Sequence, residues 1–453
     1  MRGSARSRIL LDELMTWGGP FRAANARLKA PRYRVYRVPH FTRALRHRNY
    51  RLFFSGQLIS LVGTWMQGIA ESWLVYRLTG SAALLGVAGF ASQIPVLFLA
   101  TIGGSVADRY NRHRILVVTQ TASMILPLTL AALVFSGRVQ VWHVFALAAG
   151  LGIVNAFDVP ARQSFVVEMV GREDLVNAIA LNSSIVNAAR AIGPAIAGVL
   201  MAAVGEGWCF LINGVSYIAV ITGLLMMKLP PRLQTSRPPA ALAHATHGFR
   251  YVRATTPVRG LLLMVALVSF AGMPYSTLMP IFAQDILHGG ARGLGLLMAS
   301  AGVGSLCGAL ALASRSTVRG LGRVVGASAL VFGLALTLFA MSRVYWLSAA
   351  LLFVVGMSMI TQAASTNTLI QSMVPDSVRG RVMAIYAMSF MGMAPIGALV
   401  EGWIAERIGA PYTVMIGGCV CVAGAIVFNI RLPRLRAMAR QLIEARHVEA
   451  AGD

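Results

Sequence analysis

Charge is scarce in this 453-residue chain, where Asp, Glu, Lys and Arg make up only 12% of residues. An ordinary soluble domain carries about 25%, so a water-facing surface of normal extent is excluded. Acidic residues are scarcer still, 16 against 40 Lys and Arg, which leaves a formal net charge of +24. The four cysteines, Cys209, Cys307, Cys419 and Cys421, fall in or beside apolar segments, with no metal-ligand spacing and no pair fit for a disulfide. Of eight histidines only His143 sits at the edge of an apolar segment, so a metal-dependent intramembrane enzyme has no ligand set. There is no Gly-x4-Gly-Lys-Ser/Thr run to cradle a nucleotide phosphate, so the chain does not hydrolyse ATP itself. These absences imply no enzyme, no cofactor and no metal.

What is present is apolar: 57% hydrophobic residues and a mean hydropathy of +0.67. A crossing of roughly 30 Å of hydrocarbon takes about 20 mainly apolar residues. Twelve segments qualify, at 52–76, 82–102, 115–135, 141–156, 181–204, 208–227, 258–282, 294–313, 324–341, 346–369, 382–404 and 412–430. The predicted fold class is an all-α integral membrane protein of twelve helices in two six-helix pseudo-symmetric halves, 49–228 and 258–430. A Pro-rich linker at 229–257 joins them, with a basic tail at 1–48 and a second tail at 431–453.

The positive charge sits where a membrane protein would put it. With the N-terminus inside, inward regions hold 33 of the 40 Arg and Lys; the outward loops hold five, and Arg51 and Arg190 lie respectively at the edge of and within a segment. That asymmetry is the positive-inside pattern and needs no nucleic-acid partner. It predicts both termini cytoplasmic; the expected location is the plasma (inner) membrane of a bacterium, with the chain multi-pass and monomeric. The tail lacks an apolar signal-peptide core, and its run Arg32-Tyr33-Arg34-Val35-Tyr36-Arg37 suits either an anionic leaflet or a solvated tail.

An internal repeat appears at an offset of 204 residues. Val166-Val167-Glu168-Met169-Val170 followed by Ile192-Gly193-Pro194 and Gly198 matches Ile370-Gln371-Ser372-Met373-Val374 followed by Ile396-Gly397-Ala398 and Gly402, and Gly104 falls on Gly308. Internal symmetry of this kind is how secondary transporters build a site between halves. Leu312 stands at the repeat position of Asp108, so the halves differ chemically there.

Between the second and third segments lies Gly104-x-x-x-Asp108-Arg109-x-x-Arg112-x-Arg114. This loop resembles the signature loop of the major facilitator superfamily. Gly56-Gln57-x-x-Ser60-x-x-Gly63-Thr64-Trp65-Met66-Gln67, with Trp73-Leu74-Val75 and Leu78-Thr79-Gly80-Ser81, is similar to the enterobactin-exporter-like and macrolide-efflux branch. The resemblance implies that Asp108, Arg109, Arg112 and Arg114 form a cytoplasmic charge network holding the outward-facing state. It directs Asp108 at the segment opening Asp376-Ser377-Val378-Arg379. Asn111 replaces the usual Gly, and since Asn tolerates a left-handed backbone the tight turn is expected to survive. Without the family, the arginines read as topogenic charges; a carboxylate at a helix N-terminus is stabilised by ~0.3–1 kcal/mol.

Polar residues inside spans mark a pathway, because lipid makes them costly. Gln57, Ser60, Thr64, Gln67 and Glu71 recur at steps of three and four, one helical face that either lines an aqueous cavity or bonds neighbouring helices. Asn155, Asp158, Asn187, Arg190, Tyr275, Gln362 and Glu401 complete the candidate cavity or proton relay. Arg190, near mid-span, must find an acceptor; Asp158 is the expected partner, and the guanidinium serves an anionic substrate group or an internal ion pair. Gly193-Pro194 with Gly198 resembles a shortened form of the fifth-span signature of drug–proton antiporters, a segment that bends or packs tightly, and points to export. Glu71, Asp158 and Glu401 are the candidate proton carriers, and the sequence does not choose among them. The expected function is a proton-coupled exporter of amphipathic small molecules, of siderophore or drug type, whose partners are that substrate, protons and membrane lipid. A lipid flippase or importer on the same scaffold and a non-transporting sensor are the alternatives; a sensor needs neither the polar stripe nor Arg190.

Overall fold

The computed structural model describes residues 40–229, 241–315 and 317–452, and all regular structure among them is helical. Most of the basic tail, including Arg32 to Arg37, and the Pro-rich part of the linker lie outside the described residues. A 3-10 turn at His40–Arg46 leads into α1 (Arg48–Thr79), α2 (Ala82–Arg109), α3 (Arg112–Phe135), α4 (Val141–Val204) and α5 (Glu206–Leu225). Then come α6 (Ala241–Ala254), α7 (Thr256–Ala271), a 3-10 turn at Met273–Thr277, α8 (Met279–Ile281) and a π turn at Phe282–Ile286. The chain continues through α9 (Gly290–Ala313), α10 (Leu321–Met341), α11 (Tyr345–Met373) and α12 (Asp376–Ala387). A π turn at Met388–Gly392, α13 (Met393–Ile408) and α14 (Ala410–Gly452) complete it.

Ten helices among the described residues are long and apolar enough to cross a membrane. At 32 residues α1 is also long enough, but its polar stripe keeps it out of that set. At ~1.5 Å per residue the 64 residues of α4 extend far beyond one bilayer thickness, and the count takes α4 once. The ladder resets at Gly171 (φ 72°, ψ 176°), a backbone conformation open to glycine and closed to most side chains. Helix boundaries keep the 204-residue spacing: Val141 and Tyr345 open helices, Val204 and Ile408 close them, and Glu206 and Ala410 open the next. Gly171 falls on Pro375, which separates α11 from α12.

Two expectations are corrected here. Asn111 is extended (φ −68°) rather than left-handed, and serves as the N-cap of α3, its side chain accepting from the Arg114 N–H at 3.2 Å. The linker is not all spacer, since α6 forms within it and packs on α12, with Gly248 against Arg381 and Ile385. The stretch after residue 430 continues as helix within α14.

Glycines set the closest helix approaches. A Cβ on Gly198 would lie 2.7 Å from the Gly295 Cα, so the backbones of α4 and α9 touch there; Gly193 packs α4 onto α1 in the same way, against Trp65 and the Val62 carbonyl. Pro194 keeps helical dihedrals, and this stretch packs closely against α1 and α9. Gly198→Val is therefore expected to destabilise the fold by ~1–3 kcal/mol, as overpacking does, and to lower the thermal midpoint of the detergent-purified chain.

Candidate functional site

The loop between α2 and α3 is tied to α4 through one arginine. Arg112 reaches Glu168 at 2.7 Å and Asp108 at 3.5 Å, and its Nε donates to the Ala107 carbonyl at 3.1 Å. Asp108 is 60% exposed, Arg109 and Arg114 are exposed, and a Cβ on Gly104 would meet nothing within 4 Å. Asp376 pairs with Arg379 of its own helix. The expected contact between Asp108 and the start of α12 is thus not made in this conformation. A groove of about 640 Å³ opens beside the loop among α2, α3 and α4, with Arg109 and Arg114 at its mouth and Val118, Ile153 and Phe157 on its walls.

The opposite end of the bundle is closed. Gly86 of α2 packs against Ala398 and Gly402 of α13, and Tyr76 at the end of α1 donates to Asp285. Glu406, in the last turn of α13, accepts from the Ser81 hydroxyl and the Ala83 N–H, both at 3.0 Å. A carboxylate is disfavoured at the C-terminal end of its own helix and favoured at the N-terminus of another, and Glu406 has both positions at once. Sequence reasoning missed Glu406 and Asp285. An acidic residue in a last helical turn was the available signal for the first.

Asp158 sits 1% exposed in a network of its own. It pairs with Arg162 at 2.8 Å and accepts from Thr119 and Gln120, each at 2.8 Å. Arg162 in turn donates to Gln57 at 3.2 Å. The expected Asp158–Arg190 pair is therefore corrected: Arg162, counted in sequence as a loop charge, takes that place. Its spacing, four residues after Asp158 on one helix face, was the signal for it. Along the α1 stripe, Gln57, Ser60 and Gln67 are buried, Gln67 accepts from Asn213 of α5, and the Thr64 hydroxyl donates to the Ser60 carbonyl. Glu71 is half-buried and bonds Gln67. Two of the five thus bond neighbouring helices, Gln57 to α4 and Gln67 to α5, while the other contacts named stay within α1. Asn155 is half-buried one turn before Asp158, and Asn187 donates to the Ser183 carbonyl.

Arg190 meets a different set of residues. Its guanidinium lies 4.9 Å from the centroid of the Trp65 ring, its Nε is buried without a hydrogen-bond partner, and it interacts electrostatically with the buried Tyr275. The structure thus brings together Arg190 of α4, Tyr275 of the turn after α7 and Trp65 of α1, which sequence reasoning quoted without assigning a role. Further along, Gln362, Ser365 and Thr366 of α11 are buried, each with a side-chain polar atom lacking a partner, and so are both oxygens of Glu401.

One more cluster locks the chain before α1. Asp174, 1% exposed just after the Gly171 break, receives Arg43 at 2.7 Å, Arg46 at 2.8 Å and His47 at 2.7 Å. The His47 hydrogen bond, then the Arg43 and Arg46 charges, hold its carboxyl below the ordinary value of 3.8. A depressed carboxylate contributes stability above its unfolded value and loses it as pH falls through the folded one. Amide protection over residues 42–47, read by hydrogen exchange, should therefore persist down into the ordinary carboxylate range and vanish below it. Asp174→Asn should lack that protection at every pH.

A family model described as transmembrane secretion effector matches residues 42–451. A staphyloferrin A transporter of Staphylococcus aureus is 26% identical over 386 residues, covering 83% of this chain and 95% of its own. Macrolide efflux protein A of Streptococcus pyogenes is 24% identical over 392 residues, covering 84% and 96%. A bacterial homologue of the human lysosomal transporter Spinster, solved inward-facing and unoccupied, superposes with a TM-score of 0.63 at 15% identity, covering 90% of this chain and 98% of its own, a likeness of fold.

Proposed function

From the premise that the chain belongs to the transmembrane secretion effector family of the major facilitator superfamily, we propose that it is a proton-coupled exporter of amphipathic small molecules working by alternating access. It is a membrane transporter and not an enzyme. Its cargo is of the siderophore or drug type, as the names of its relatives suggest. In this reading α1 and the two arms of α4 bring the crossings to twelve, in halves at 49–228 and 258–430 joined by 229–257. The chain sits as a monomer in the inner membrane of a bacterium, with both tails in the cytoplasm.

The observation that carries the mechanism is the contrast between the two ends of α2. Its N-terminus is capped by Glu406 from α13, while Asp108 at its other end is exposed and makes no contact with α12. With the capped end outside, this is the inward-open state. In the outward-open state Asp108 takes the equivalent place at the start of α12, and Glu406 lets go. A contact biases two states only when it exists in one of them, and each carboxylate would then favour one. The Arg190, Trp65 and Tyr275 group lies between the two seals and is where an anionic part of the cargo would meet positive charge.

A comparison of small molecules inside cells and in the medium, with and without the gene, tests the reading. An exporter leaves an amphipathic molecule retained inside deletion cells, and the wild-type chain releases it. Depletion inside with retention in the medium would instead make the chain an importer.

A further inference from the structure

Of the three carboxylates nominated by sequence, Asp158 has an arginine and two donors, and Glu71 has Gln67. Glu401 has none of these: it is 7% exposed, and both of its oxygens are buried without a partner among the described residues. Buried polar groups are almost always hydrogen-bonded, so an orphan carboxyl calls for an explanation.

Its surroundings supply no counter-charge. On α2 Ala82 and Gly86 pack against the adjoining Gly402, and the charged residues, Asp108 and Arg109, stand at the far end. On α7 the backbone at Phe270 and Ala271 closes against Gly397 and Gly417, and Arg259 is at the opposite end. In the 3-10 turn Tyr275 interacts with Arg190. Cys421 of α14 is the titratable group that feels Glu401, and it is neutral as a thiol. On α13 itself Glu406 is held by the start of α2, and Arg407 stacks 3.6 Å over the Trp403 ring centroid. An ionised Glu401 here would be an uncompensated charge in lipid-like surroundings, whereas the neutral acid fits the packing.

Both α13, which carries Glu401, and α7, whose Ala271 carbonyl shares the contact at Gly417 with it, adjoin a break in helix geometry. α7 gives way to the 3-10 turn at Gly272, and the π turn at Met388–Gly392 precedes α13. Such interruptions are common at functional sites and let adjoining segments shift.

We propose that Glu401 carries the coupling proton, which rests on the proton-coupled reading above. It is neutral while buried, as in this inward-open arrangement, and ionises when α13 and α7 part in the outward-open one. One proton is bound from outside water as the outer end closes over the carboxylate, and it leaves to inside water when cargo entering from the cytoplasmic side displaces it; no other bond forms or breaks.

The test needs no cargo. In the full chain reconstituted in liposomes, infrared spectroscopy reads the carboxylic-acid C=O band, and amide exchange over residues 79–86 reads opening of the outer end, both against pH. The wild type should lose the band as pH rises while the outer end opens by up to about tenfold per pH unit, the limit for one proton. Glu401→Gln should lack the band and keep the outer end closed at every pH, and Glu401→Asp should restore both responses. A band or a pH-dependent opening that survives in Glu401→Gln overturns the assignment. Opening that is pH-independent in the wild type contradicts proton coupling itself, whichever group owns the band.

Discussion

Replacing Arg190 by alanine is expected to abolish export while leaving a folded chain in the membrane. The guanidinium stacks over Trp65 and keeps a buried, unpartnered Nε. Losing a desolvated cation–π contact costs up to about 2 kcal/mol, but the substitution also removes the cost of holding a charge in the bundle. The two terms oppose one another, so the thermal midpoint should move little. Transport should fall by more than about tenfold, equivalent to ~1.4 kcal/mol, because the cationic group between the two seals is gone. Arg190→Lys keeps the charge and loses the planar stack, so partial activity is expected. Full export by Arg190→Ala, measured as release of the retained molecule into the medium, would remove Arg190 from the site.

The second large effect is expected at the seal. Glu406 satisfies the N-terminal turn of α2 through two hydrogen bonds, and helix caps of this kind contribute ~0.5–2 kcal/mol. Glu406→Gln should therefore shift the balance toward outward-open by roughly 3- to 30-fold, since each 1.4 kcal/mol is tenfold. Asp108→Asn should act in the opposite sense, because the contact it removes belongs to the outward-open state. Neither substitution touches a close-packed helix contact, so both proteins should fold. The sign of the shift, rather than its size, separates this account from one in which both carboxylates are mere surface charges.

How far the sequence alone reached follows from the range of each interaction. The spans were readable because lipid forces long apolar runs, and the loop from Gly104 to Arg114 because its signal is local. Gly171 and Asn111 were local too, yet the first breaks the ladder of α4 with a positive φ and the second became a cap. A lone Gly among apolar residues does not announce a break, and Asn can satisfy a turn in two ways. The partner of Asp158 was misassigned for another reason: Arg190 looked unpaired because its actual neighbours, Trp65 and Tyr275, come from helices far apart in sequence. Glu406 was out of reach as a cap, since its donors lie more than 300 residues away at the other side of the bundle. The polar stripe of α1 showed its face but not its partners, which Arg162 of α4 and Asn213 of α5 supply to Gln57 and Gln67.

The central claim is that one chain alternates between two seals, each held by one carboxylate. Spin labels at positions 138 and 343, in a chain whose four native cysteines are replaced, report the distance between two exposed outer loops. The account predicts a short distance in the wild type, a new longer population in Glu406→Gln and none in Asp108→Asn. Identical distributions in all three, or lengthening in Asp108→Asn, would contradict it.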